Sequence, residues 1–185
     1  LAAGTVSVSQ KTYIEEAVRK FFPNGLPEKN GRLIPCDESI SSLEPLGEGE
    51  MIDPSYRSGV GMLVWLTSIS RPDVAYTHSM LARHNCGGGE RHMKHLLKVF
   101  EYLGRTSHYK ITYGKESFEK ICKSIQNHSK FQTDALHITT LFSMVDSSHG
   151  GERPMAGDAH FVAGAPIGWR AGRHPITPLN VAQGE

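Results

Sequence analysis

Glu90-Arg91-His92-Met93-Lys94-His95-Leu96-Leu97-Lys98-Val99-Phe100-Glu101-Tyr102-Leu103 is the passage whose reading decides the fold. Wound at about 100° per residue, Met93, Leu96, Leu97, Phe100 and Leu103 fall on one side. Arg91, Lys94, His95, Lys98 and, one turn beyond, Arg105 gather on the other. The pattern predicts an amphipathic helix whose apolar side packs on other helices and whose outer side is a ridge of cations.

Those other helices are legible upstream. Asp53-Pro54 is a capping acid followed by proline at a first helical position, and the run to Ile69 is apolar on nearly all sides, as a central helix would be. Gly59 and Gly61 weaken that helix but permit close approach of a neighbour. Ser70-Arg71-Pro72-Asp73 breaks it, and a second helix from Asp73 to about His84 puts Val74, Ala75, His78, Leu81 and Ala82 in one stripe. Gly87-Gly88-Gly89 ends that segment as a turn. Leu63, Leu81, Leu97 and Phe100 are the expected core, joined by Trp65, with His78 as a satisfied core histidine. Further upstream, Thr5 to Ser9 alternates as a strand, and Ser9 can cap a helix over residues 11–22. The Gly, Pro, Ser and Glu of residues 23–53 predict a long surface loop. Downstream, residues 109–113 read as a strand and residues 115–130 as a tether or short helix. Residues 138–145, 159–163 and 167–170, separated by Gly-rich turns, read as an antiparallel meander that includes Trp169 in its core.

The chain has 185 residues, is 38% hydrophobic and 21% charged, and has no apolar run approaching the roughly 18 residues of a membrane span. No membrane partner is expected. Its opening Leu1-Ala2-Ala3-Gly4-Thr5-Val6 has no initiator Met and neither region of a signal peptide, so it reads as a fragment or processed piece. Cys36, Cys86 and Cys122 fit neither a disulfide framework nor a four-cysteine zinc site, which points to a reducing, intracellular compartment. The net charge of +1 conceals a division: five Lys/Arg against eight Asp/Glu in residues 1–50, and twelve against six in residues 51–130. Six histidines in that basic middle (His78, His84, His92, His95, His108, His128) are expected to deepen its positive potential at mildly acid pH.

Five phrases, in order, resemble the end of a copia-type retrotransposon polyprotein, from the close of its reverse transcriptase into its ribonuclease H domain. Val8-Ser9-Gln10-Lys11-Thr12-Tyr13-Ile14 resembles the family's "LSQKxYI", Tyr56-Arg57-Ser58-Gly59-Val60-Gly61-Met62-Leu63 its "YRSxVGxLxYL", and Ser70 to Ala75 its "TRPDIA". Glu90 to Thr106 is similar to "xxHWxAxKRxLRYLKGT", and Gly164-Ala165-Pro166-Ile167-Gly168-Trp169 to the hairpin "GGAPISW". The resemblance covers most of the chain. It implies an α+β fold, a helical thumb-like bundle followed by a partial ribonuclease H-like β-meander. Residues 1–50 would then be the end of a palm strand, a helix and a long loop; 51–114 the thumb; 115–137 a tether; and 138–185 the opening of the ribonuclease H-like domain.

Intact family members hold magnesium between converging acids, and here the resemblance places few. Asp146 matches the first acid of "SDADWA", but Ser148 stands at the second. In Leu179 to Glu185, matched to "LSSTEAEY", Gln183 takes the place of the family glutamate and Glu185 that of the next acid, which a helix would turn elsewhere. Asp146 is either a residual metal ligand or, the preferred reading, a strand-end aspartate accepting backbone hydrogen bonds. Asp158 and Glu152 read as solvated turn residues. The polymerase's paired aspartates would precede residue 1, and no Asp-Asp pair occurs in this sequence. Neither polymerase nor nuclease activity is expected of this chain alone, and no cofactor.

His84, Cys86, His92 and His95 are zinc-type ligands within a dozen residues, although a structural role for His92 fits better. Arg91, Lys94, His95, Lys98 and Arg105 are either a solvated helix face or, as the thumb position implies, a contact to the backbone of an RNA/DNA hybrid or structured RNA. Three functions follow: a retroelement remnant that grips a duplex without catalysis, a domesticated scaffold within a larger ribonucleoprotein assembly, or a piece of an active polymerase and nuclease.

Overall fold

In a computed structural model, which describes residues 4–28, 34–128, 137–148 and 154–173, the chain divides into two units. One is Ser9–Tyr109, and the other combines Leu1–Val8 with Lys110–Glu185. Together they form a mixed α+β fold with two small antiparallel sheets, neither closed into a barrel.

The first unit is helical. In α1 (Lys11–Phe21), Ile14, Ala17 and Val18 form the buried stripe. Ser9 Oγ accepts the Lys11 N–H at 3.2 Å, but the cap position falls on Gln10, one residue later than the sequence predicts, and carries no side-chain cap bond. Phe21 then stacks on Phe100 with ring centroids 4.4 Å apart. The entry to α2 (Tyr56–Ile69) is held by Asp53, whose Oδ1 accepts the Ser55 N–H and hydroxyl at 2.8 and 2.6 Å. Val60, Leu63 and Leu66 are buried, but Val64 and Trp65 stand out in solvent, so one face of this helix is open and Trp65 is not core. A Cβ on Gly59 would lie 2.5 Å from Leu96 Cδ2, so the close approach expected at the two glycines occurs here; Gly61 faces open space.

The second predicted helix is shorter than its pattern. Pro72–Val74 is a 3-10 turn, and only Ala75–Ala82 is α-helical (α3). Asp73 cannot cap it because its carboxylate is held by Arg71 Nε and Nη2 at 3.0 and 2.7 Å and by the Tyr102 hydroxyl at 2.7 Å. The buried stripe is Val74, Thr77, Met80 and Leu81, leaving His78 half-buried with Nε2 unpartnered rather than satisfied. Gly88 and Gly89 beyond α3 are packing positions: a Cβ on Gly88 would meet the Tyr56 ring at 2.1 Å and one on Gly89 would lie 2.6 Å from Leu46 Cδ2.

Glu90–Arg105 is α4. Its buried residues are His92, Met93, Leu96, Val99, Phe100, Tyr102 and Leu103, whereas Leu97 is only half-buried. At about 100° per residue this arc is turned roughly 50° from the one the apolar pattern gives. The reason is the segment 34–53. It is largely the exposed loop the sequence predicts, apart from a 3-10 turn at Glu38–Ser42, but Ile40 and Leu43 are buried and anchor it along the His92 side of α4, which widens the buried arc away from Leu97.

In the second unit β1 (Val6–Val8) pairs antiparallel with β2 (Ile111–Tyr113), Val8 opposite Ile111. Lys115–His128 is helical (α5), the second of the two readings given to that stretch. The meander forms as the short runs between Gly-rich turns predict: β3 (Phe142–Ser147), β4 (Met155–Val162) and β5 (Ala165–Arg173) pair in that order. Ala163 and Gly164 link the last two with φ of 50° and 77°, a two-residue turn of the primed kind that suits strand twist. A Cβ on Gly164 would lie 2.0 Å from the Phe118 backbone N, so only glycine fits. Phe142 and Phe161 stack across the sheet at 5.2 Å, and Trp169 is half-buried rather than core.

Candidate nucleic-acid interface

The cations of α4 line up on its outer side, and none of them is bare. Arg91 Nη2 donates to Glu50 Oε2 at 2.8 Å and to the Pro45 carbonyl at 2.6 Å. Lys98 Nζ meets Asp37 Oδ2 at 2.7 Å. Lys94 pairs with Glu90 at 2.8 Å and Arg105 with Glu101 at 2.9 Å, each one turn back along the helix. Arg105 also donates to the Pro27 carbonyl at 2.6 Å. A free ridge gathering counterions is therefore not what the chain builds. Lys98 and its hydrogen bond hold the Asp37 carboxyl down at about 2, helped by the Ser39 hydroxyl. Beside this pair lies a cleft of about 250 Å³ with Ile34, Cys36, Tyr102 and Arg105 among its walls.

The histidines do not add charge as expected. His95 is half-buried with Nδ1 unpartnered, and burial lowers its pKa with Lys98 reinforcing the effect. His92 is fully buried; Nδ1 accepts the Gly89 N–H at 3.1 Å and Nε2 donates to the Glu44 carbonyl at 2.9 Å, so its neutral form caps α4. His84 packs against it with ring centroids 4.5 Å apart, and burial first, then the neighbouring His92 and Arg83, bring its pKa down to about 4. Burial lowers His78 as well. Burial thus disfavours the charged form of all four rings, and His84 and His92, the first by its low pKa and the second by its accepting Nδ1, stand as neutral packing groups. Among the described residues no group of three or more His, Cys, Asp or Glu is arranged to hold a metal ion. Cys86 is exposed, while His92 faces inward with both nitrogens used, which separates them as zinc ligands. All three cysteines are free.

On the sheet, Asp146 lies within β3 opposite Gly157 and is exposed. Among the described residues its carboxylate has no hydrogen-bonding or ionic partner, so the backbone bonds expected of it are not made there. Asp158, opposite Val145, projects from the other face and is tied to Arg170 at 2.9 Å and His160 at 3.3 Å, a strand residue rather than a turn one. Two-magnesium chemistry needs several converging acids, and among the described residues Asp146 belongs to no group of three or more such ligands. Gln183, Glu185 and Glu152 lie outside the described residues.

Sequence reasoning missed two features. The first is the pairing of Asp37 and Glu50 with the ridge, for which the acidic excess of residues 1–50 was the available signal. The second is Arg71, read only as part of a helix break. It is 1% exposed, donates to the Thr106 carbonyl and Oγ1 at 3.2 and 2.7 Å, and lies within cation–π range of Tyr102 and Tyr109. No helix of the described residues is long and apolar enough to cross a membrane. The chain matches no protein-family model, no curated protein and no solved structure at a significant level.

Proposed function

We propose that this chain is a retroelement-derived piece of a reverse transcriptase and ribonuclease H whose helical unit grips a nucleic-acid duplex through α4, with no catalysis of its own. The observation that carries this reading is the ridge itself. Arg91, Lys98 and Arg105 recur every seven residues on one side of a continuous helix, spanning about 21 Å at 1.5 Å per residue. The pairs of Arg91 and Lys98 are at the surface, where such pairs are worth about 0–1 kcal/mol, so phosphates can take the place of those carboxylates, while the Arg105–Glu101 pair is more enclosed. Phosphate contacts position a duplex without reading its sequence. An RNA/DNA hybrid or structured RNA is the partner, and magnesium belongs to the intact family domain rather than to this piece.

The test is fluorescence anisotropy with a labelled RNA/DNA hybrid over a salt series. Binding is expected to weaken steeply with salt, and Lys98→Ala to reduce the slope of log affinity against log salt by about 0.9. No binding at low salt, or a slope untouched by replacing Arg91, Lys94, Lys98 and Arg105 with Ala, refutes the grip. One observation favours the second reading, a domesticated scaffold in a ribonucleoprotein assembly: all four cations already hold an acid, which leaves the ridge close to neutral. In that case hybrid binding is absent and the exposed Val64–Trp65 face of α2 carries the contact.

A further inference from the structure

The segment from Ile34 to Asp53 carries six acids (Asp37, Glu38, Glu44, Glu48, Glu50 and Asp53) and no Lys or Arg. It lies along α4, and its middle is anchored without charge. Ile40 and Leu43 are buried, the Glu44 carbonyl accepts from His92 Nε2 at 2.9 Å, and the Asp53 N–H donates to the Gly88 carbonyl at 2.8 Å. Asp37 and Glu50 stand on either side of that anchored middle, and each reaches one cation of the ridge: Asp37 to Lys98 and Glu50 to Arg91. Those cations are two helical turns apart, about 10.5 Å. The other two pairs, with Glu90 and Glu101, are made within α4 and do not depend on this segment.

We propose that residues 34–53 form an acidic strap that competes with duplex phosphates for the α4 ridge, its Asp37 and Glu50 carboxylates occupying the positions that backbone phosphates take on binding. The proposal rests on the duplex-binding reading and adds the regulation of that site. The strap's backbone stays anchored, and only the two carboxylates exchange. Both pairs are open enough to exchange, with side-chain exposures of 52% and 38% for Lys98–Asp37 and 42% and 43% for Arg91–Glu50. The cleft of about 250 Å³ beside Asp37 leaves room for the incoming group. Each displaced carboxylate takes up a counterion from solution and cancels part of the counterion release that drives association. The strap therefore lowers both the affinity and its salt dependence.

The experiment uses the full chain and a fluorescein-labelled RNA/DNA hybrid across a potassium chloride series. Asp37→Asn with Glu50→Gln leaves both cations without their strap carboxylates, Arg91 keeping only the Pro45 carbonyl, while Glu38→Gln with Glu48→Gln removes the same charge from strap residues that make no ion pair with α4. The first variant is expected to bind several-fold tighter at low salt, with a slope steeper by about 0.9 for each uncovered cation. The control is expected to keep the slope of the unaltered chain. Should the unaltered chain bind and both variants match it in slope, the strap is overturned while the duplex grip stands. Should no protein bind, the grip and the strap fall together. A readout that needs no variant guards against misfolding: in the unaltered chain, the Asp37 and Glu50 carboxyl carbon resonances should shift as hybrid is added. Saturable binding with both resonances unmoved also overturns the proposal.

Discussion

The buried ring of His84 makes the helical unit sensitive to acid. At 6% exposure and packed at a tilt against His92, it takes up a proton only near pH 4 when folded, against 6.5 for the ordinary side chain. Between those values the unfolded chain holds a proton that the folded chain lacks. Stability is thus complete above about pH 6.5 and is lost as pH falls toward 4. Each pH unit in that window costs about 1.4 kcal/mol, so lowering the pH from 7 to 5 removes about 2 kcal/mol through His84 alone. His78, His92 and His95, all lowered by burial, act in the same direction. The measurement is urea unfolding followed by far-UV circular dichroism at both pH values, for the unaltered chain and for His84→Gln, which keeps a hydrogen-bonding group but does not titrate. The variant is expected to lose about 2 kcal/mol less than the parent over this range. Equal losses in the two proteins would refute the assignment of His84 as a buried neutral base.

The rotated face of α4 is tested by a pair of variants. Leu96→Ala should cost about 2–5 kcal/mol because Leu96 is fully buried against α2 at Gly59, whereas half-buried Leu97→Ala should cost less than about half as much; similar melting-temperature shifts in the two would restore the face read from the apolar pattern. Arg71→Met should destabilise the helical unit by about 1–3 kcal/mol, since it leaves the Thr106 carbonyl without this buried donor and Asp73 with only the Tyr102 hydroxyl; denaturant midpoints unchanged from the parent would show the network to be ornamental. Magnesium-dependent cleavage of an RNA/DNA hybrid should be undetectable and not restored by Gln183→Glu; cleavage that vanishes in Asp146→Ala would overturn this.

Local patterns in the sequence were enough to locate the elements. The Ser9 hydroxyl ahead of α1, the Asp53 entry to α2 and the Gly-rich turns between the short runs of the meander each depend on neighbours a few residues away, so short-range chemistry writes them directly. What lies opposite each face could not be read this way. The arc that α4 buries is settled by residues 34–53 packing along its His92 side, roughly fifty residues earlier in the chain. The same packing supplies two of the ridge's four ion pairs, because Asp37 and Glu50 reach Lys98 and Arg91 only across the fold. Arg71 reads as a helix breaker in sequence and becomes the centre of a buried network only when Thr106, 35 residues on, supplies its acceptors. Periodicity records which side of an element is apolar; whether a charge stays free, or a histidine stays neutral, is decided by desolvation and partners that only the tertiary structure brings together.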